Sequence, residues 1–145
     1  MVGDPVFLDT NVLIYASRPA SPVHQAARAR MAAFDDAGCP LWVSPQVLRE
    51  YLAVVTRPQG ATPPLRAAEA LRDISGFQER FEIAPETPAV FARLLTLLAA
   101  FPIGGRQVHD ANLVASMLEN GIYRLLTFNI RDFQRFSGMI EIVAN

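Results

Sequence analysis

The chain alternates short apolar runs with longer stretches in which apolar residues recur every three or four positions. Val6-Phe7-Leu8 is the first run and ends in Asp9; Thr10 and Asn11, both good cap residues, precede Val12-Leu13-Ile14-Tyr15, so strand, turn and helix follow directly. Arg18-Pro19-Ala20-Ser21-Pro22 interrupts, and the Ala-rich stretch from Val23 to Ala37 predicts a surface helix stopped by Gly38. Leu41-Trp42-Val43 predicts a second strand, and Ser44-Pro45, a cap followed by proline at the first helical position, opens a helix running to about Thr56. Three prolines and a glycine between Arg57 and Pro64 predict one long loop before a helix from about Leu65 to Gly76.

Phe81-Glu82-Ile83 predicts a third strand, and Thr87-Pro88 repeats the cap-plus-proline device for a helix to about Phe101, broken by Pro102-Ile103-Gly104-Gly105. A further helix spans Val108 to Glu119 and closes at Asn120-Gly121. Tyr123 to Thr127 predicts a fourth strand, Asn129 to Phe133 a turn or short helix, and Ile140 to Val143 a last strand. Strands alternating with helices imply an α/β fold, a parallel sheet covered on both faces. No internal repeat or low-complexity tract is present.

Composition narrows the picture. At 145 residues, 51% hydrophobic and 19% charged, residues 1–145 suit one globular domain with its own core. All 13 positive charges are Arg, and 14 carboxylates bring the formal net charge to -1, which argues against nucleic-acid binding through a broad positive field. Contacts to a polyanion must then come from locally placed Arg. The lone Cys39 forms no internal disulfide and suits a reducing compartment. The start, Met1-Val2-Gly3-Asp4-Pro5, lacks the features of a signal peptide, and the apolar stretch Ala89 to Phe101, interrupted by Arg93, falls short of the roughly 20 residues a membrane span needs. A soluble, cytoplasmic protein with no membrane partner is the expectation.

Three acids break the apolar pattern. Helical spacing from Pro45 groups Val47, Glu50, Tyr51, Val54 and Val55, and from Val108 it groups Asp110, Leu113, Val114, Met117 and Leu118. A carboxylate thus enters each apolar stripe, and Asp9 stands at a strand end. Each has a bland reading: Asp9 as an N-cap, Asp110 as a complement to the helix dipole, Glu50 as the partner of an Arg. In an open α/β sheet, however, all three fall near the carboxyl ends of the strands, where sites form. Carboxylates gathered there repel one another unless a cation neutralises them, and hard oxygen donors without a Cys cluster favour Mg²⁺ or Mn²⁺ over zinc. Such a centre activates water and stabilises charge on a phosphate, the chemistry of metal-dependent phosphodiester hydrolysis.

These residues resemble a known family, the PIN domains, and within it the VapC-type toxins of bacterial toxin–antitoxin pairs. The resemblance rests on Phe7-Leu8-Asp9-Thr10-Asn11-Val12-Leu13-Ile14-Tyr15, on Glu50 within Ser44-Pro45-Gln46-Val47-Leu48-Arg49-Glu50-Tyr51, on His109-Asp110-Ala111, and on Leu126-Thr127-Phe128-Asn129-Ile130-Arg131-Asp132-Phe133. It implies a three-layer α/β/α sandwich with a short, mainly parallel central sheet, Mg²⁺ or Mn²⁺ bound by an acidic cluster, and endoribonuclease activity on single-stranded or loop RNA. Asp9, Glu50 and Asp110 would be the catalytic, metal-binding acids, with Thr10, Asn11 and Thr127 supporting them. Many relatives carry an aspartate where this chain has Asn129, so Asp132 would supply the outer charge and Asn129 a carbonyl oxygen near the metal.

Arg106 and Arg131, beside the two late motifs, are candidates for RNA phosphate contacts, with solvated surface as the alternative. His109 fits packing or support of the site better than catalysis. The helix from Pro88 to Phe101 is apolar on more than one face, which fits a partner surface or deep burial. The resemblance implies a homodimer and a cognate antitoxin that covers the acidic site. Two other functions compete. A haloacid-dehalogenase-type phosphatase would need a second aspartate at position 11, which is Asn11, and a cationic Lys, which the chain lacks. A PIN-like module without catalysis, serving as a binding or scaffold protein, is supported only by Asn129.

Overall fold

The computed structural model describes residues 2–143. Five strands form one sheet: β1 (Val6–Leu8), β2 (Leu41–Val43), β3 (Glu82–Ile83), β4 (Arg124–Leu126) and β5 (Glu141–Val143), in the order β3-β2-β1-β4-β5. All neighbours pair in parallel, with Phe7 opposite Trp42 on one side and Leu125 on the other. Parallel strands need crossovers, and the helices supply them: α1 (Thr10–Ser17), α2 (His24–Asp36), α3 (Pro45–Val55), α4 (Ala67–Arg80), α5 (Pro88–Ala100), α6 (Gln107–Glu119) and the short α7 (Ile130–Phe133).

The chain steps outward from β1 to β2 and β3, then returns across β1 to β4. With right-handed crossovers this reversal puts α1 to α4 on one face of the sheet and α5 and α6 on the other. The helices pack accordingly, α1 against α2 and α3, and α5 against α6. The strand order reverses between β1 and β4, so a crevice opens beyond their carboxyl ends, the place where open α/β sheets hold ligands.

Burial explains why the short strands hold. Val6, Phe7 and Leu8 are wholly buried, as expected for a central strand covered on both faces. One continuous apolar cluster runs from β1 through Val47, Tyr51 and Val55 of α3 to Leu113, Val114 and Met117 of α6. Tyr51 is fully buried, and its hydroxyl donates to Asp73 Oδ2 at 2.6 Å.

The elements match the sequence expectation, with local differences. The N-cap of α1 is Asp9 itself, so Thr10 and Asn11 lie inside the helix. Gly76 does not stop α4, which continues to Arg80 because Phe77 is held edge-on against Tyr51 and stacked on Phe81. The segment from Arg57 to Pro64 is not an open loop: Gln59 and Thr62 form a two-way backbone bridge closed by Gly60 at φ +59°. Only part of the apolar surplus on α5 is buried: Val90, Leu94 and Leu97 enter the core, while Phe91 is 60% and Leu95 51% exposed. Among the described residues, no helix is long and apolar enough to cross a membrane.

Candidate active site

Asp9 follows directly from β1 and caps α1. Its Oδ1 accepts from the Thr10 backbone N–H at 2.7 Å, which fixes the carboxylate at the strand end. Its Oδ2 accepts from Thr127 Oγ1 at 2.8 Å and from Asn11 Nδ2 at 3.2 Å. Asn11 Oδ1 in turn accepts from the Phe128 backbone N–H at 3.2 Å, and Thr127 Oγ1 from that of Asn129 at 2.9 Å. Asp9, Asn11 and Thr127 therefore join the ends of β1 and β4 at the crevice.

Glu50 reaches the same crevice from α3. Its Oε1 accepts from Gln46 Nε2 at 3.1 Å and lies 3.5 Å from Thr10 Oγ1. Gln46, buried at 5% exposure, also donates to the His109 carbonyl at 2.8 Å and accepts from Asn112 Nδ2 at 2.6 Å. This amide ties α3 to the first turn of α6 and so sets Glu50 relative to Asp110.

Asp9, Thr10, Asn11, Glu50, Arg106, Asp110, Asn129 and Asp132 line one cavity of about 530 Å³. Thr127 stands behind Asp9, reaching the cavity through its hydrogen bond. Arg131 is exposed and is not among the lining residues. His109 lines the cavity and is an exposed residue, so core packing is not its role; its backbone carbonyl makes the structural contact. Gln46, Asn112 and Arg135 were not singled out in the sequence. Gln46 had a signal, standing four residues before Glu50 on the same helical face. Asn112 and Arg135 gave none, because their positions depend on contacts from distant elements.

Electrostatics in the cavity are adverse to charge. Burial, above all, pushes the Asp9 carboxyl up to about 6; the hydrogen bonds from Thr127 and the Thr10 N–H oppose the rise, and Glu50 and Asp132 add to it. Asp110 is pushed up to about 7, again mainly by burial, then by Asp132, Asp9 and Glu50, while Arg135 draws it down. None of the four carboxylates is in a salt bridge among the described residues. Their mutual repulsion is the property a bound cation relieves, and carboxylates with the Asn129 amide oxygen are a hard donor set suited to Mg²⁺ or Mn²⁺. Among the described residues no group of three or more His, Cys, Asp or Glu is arranged to hold a metal as it stands. A cation would have to draw the acids inward, across a cavity with room for it and for water.

Comparison with known proteins places the fold in a family. A model of the PIN domain matches residues 6–139. Ribonuclease VapC48 of Mycobacterium tuberculosis is 31% identical over 133 residues, covering 90% of this chain and 91% of that protein. Among solved structures, Mycobacterium tuberculosis VapC20, described as a Sarcin-Ricin loop cleaving toxin, superposes with a TM-score of 0.72 at 18% identity over 94% of this chain and 97% of that one. A toxin–antitoxin complex from Klebsiella pneumoniae gives a TM-score of 0.66 at 18% identity, with 95% of each chain covered. At these identities the structural likeness is one of fold.

Proposed function

The chain belongs to the PIN domain family and groups there with the VapC ribonucleases, and from that premise we propose that it is a Mg²⁺- or Mn²⁺-dependent endoribonuclease that cuts single-stranded or loop RNA as the toxin of a toxin–antitoxin pair. The observation that carries the reading is the convergence of Asp9, Glu50, Asp110 and Asp132, from four separate elements, on one cavity without compensating ion pairs. We read residues 1–145 as one such domain, acting in the cytoplasm.

Asp9, Glu50 and Asp110 would hold the cation, with Asn129 offering a carbonyl oxygen near it and Asp132 an outer charge. When bound, such an ion lowers the pKa of a coordinated water and offsets charge on the scissile phosphate. The protein's part is to aim the acids and, at Asp9, to offset part of the cost of ionisation that burial imposes. Thr10, Asn11 and Thr127 fix Asp9 by hydrogen bonds that favour its charged form, and Gln46 holds one oxygen of Glu50, leaving the other for the cavity. Arg106 lines the cavity where a phosphate oxygen would sit. Arg131, exposed beside the site, would contact the RNA farther out.

A toxin of this kind works with a cognate antitoxin, a partner consistent with the complexes of similar fold. The exposed Phe91 and Leu95 of α5 support a homodimer. The test is cleavage of a mixed single-stranded and structured RNA pool with Mg²⁺ or Mn²⁺, beside an EDTA control and the variants Asp9→Asn, Glu50→Gln and Asp110→Asn. Metal-dependent cutting that each folded variant lowers by more than about 100-fold is expected, a larger loss than outer partners of a metal cause. Equal cutting in EDTA, or by all three variants, refutes the reading.

A further inference from the structure

The acidic cavity continues into a second recess. Ile14, one turn beyond Asn11 on α1, lines the cavity and also lines a neighbouring recess of about 310 Å³, within the size range of ligand pockets. Two built walls border it. One is the turn that leaves α1, where the Ser21 N–H donates to the Arg18 carbonyl at 3.0 Å and His24 Nδ1 lies 2.8 Å from the Tyr15 carbonyl. The other is the Gln59–Thr62 bridge, whose Gln59 Nε2 donates to the Val54 carbonyl at 3.2 Å. Val54 lies one helical turn past Glu50 and lines the acidic cavity. Both walls are therefore anchored to the helices that border the carboxylates.

The recess has a different chemistry. It is lined by no carboxylate and by one cation, Arg18, which makes no salt bridge among the described residues and lies near the buried Tyr51 hydroxyl. Arg106, in the acidic cavity, comes from the opposite helical layer and makes no salt bridge either. An extended polyanion crossing the repulsive acids would thus find a cation on each side of them. Gln59 uses its N–H on Val54, leaving Oε1 as an acceptor, while Ser21 Oγ accepts from the Val23 N–H at 3.3 Å, leaving its O–H to donate. An acceptor and a donor on facing walls can read the edge of an unstacked base.

The geometry points to a nucleotide subsite: the base next to the scissile phosphate seats between Gln59 and Ser21, and Arg18 takes the phosphate beyond it. The subsite rests on the nuclease reading above and adds the residues that choose where single-stranded RNA is cut. Two measurements test it on the whole protein. The first is binding of a single-stranded oligoribonucleotide in EDTA across a salt series, for wild type, Arg18→Ala, Arg18→Lys and, as a control just before the Gln59–Thr62 bridge and outside the lining of the recess, Arg57→Ala. Arg18→Ala is expected to bind about tenfold more weakly and to lower the slope of log K against log salt by about 0.7, as for one lost phosphate contact. Arg18→Lys keeps the slope and Arg57→Ala is unchanged.

The second measurement maps cut sites in a randomised single-stranded pool with Mn²⁺. Gln59→Ala and Ser21→Ala are expected to keep cutting while flattening the base preference at one position beside the cut. If wild type binds and cuts but Arg18→Ala binds equally well, or both wall variants keep the wild-type preference, the subsite is overturned and the nuclease stands. If wild type neither binds nor cuts RNA in any metal, the nuclease reading falls and the subsite with it.

Discussion

Asp9 and Asp110 hold their protons to about 6 and about 7, against an ordinary value of 3.8, because burial and neighbouring acids disfavour the charged forms. The folded state then binds more protons than the unfolded state between about pH 4 and 7, so stability from this source is full below 3.8 and is lost as pH rises through the folded values. Metal-free protein should show a melting temperature that falls over that window, more steeply than in the Asp9→Asn, Asp110→Asn double variant. Thermal melts in EDTA from pH 4 to 8 measure it; parallel curves for the two proteins would refute the assignment.

Gln46 gives a second residue-scale prediction. Gln46→Ala removes a buried amide that joins Glu50, Asn112 and the His109 carbonyl, leaving the Asn112 side-chain amide without this acceptor, and should cost about 1–3 kcal/mol by denaturant unfolding. It should also lower cleavage more than melting at assay temperature explains. The acids were legible in the sequence because a carboxylate in an apolar stripe conflicts with its surroundings. Gln46 was marked only by its spacing, four residues before Glu50; its tie to α6 was not legible, because the partner carbonyl lies 63 residues away.

At the scale of elements, Ser44 and Thr87 each accept from the backbone N–H of the third residue of their helix and precede a proline at its start, so α3 and α5 begin where the local chemistry places them. Element ends set by tertiary contact were less legible. The stacking of Phe77 carries α4 past Gly76, and the Gln59–Thr62 bridge turns a proline-rich loop into a hairpin. The exposed half of α5 belongs to this scale as well. Phe91→Glu with Leu95→Glu should leave the melting temperature nearly unchanged, since both side chains are exposed, yet convert a dimer to a monomer by sedimentation. A monomeric wild type would refute the proposed homodimer.

At the scale of the whole molecule, a cation held by the acidic cavity would be linked to folding. At pH 7.5, Mn²⁺ at about 100 times its dissociation constant should raise the melting temperature by about 5–10 °C, and the Asp9→Asn, Asp110→Asn double variant should lose that shift. The increment should grow with pH through the window in which Asp9 and Asp110 ionise, because the cation binds the deprotonated acids. No change with Mn²⁺ would leave a cavity that does not hold the ion. The parallel sheet was legible from the alternation of strands and helices. The strand order was not, because it is fixed by which strands pair across long separations.

That order also sets when the cavity comes into being. Thr127 reaches Asp9 across 118 positions, and the wall opposite Glu50 comes from α6, so the elements that complete the crevice emerge last during synthesis. A nascent chain that has released only its first half carries Asp9 at the end of β1 and Glu50 on α3 with no β4 beside them. The ribosome making this protein is itself built of RNA, and the fold leaves it facing no assembled acidic centre until the residues around 132 have been translated and packed.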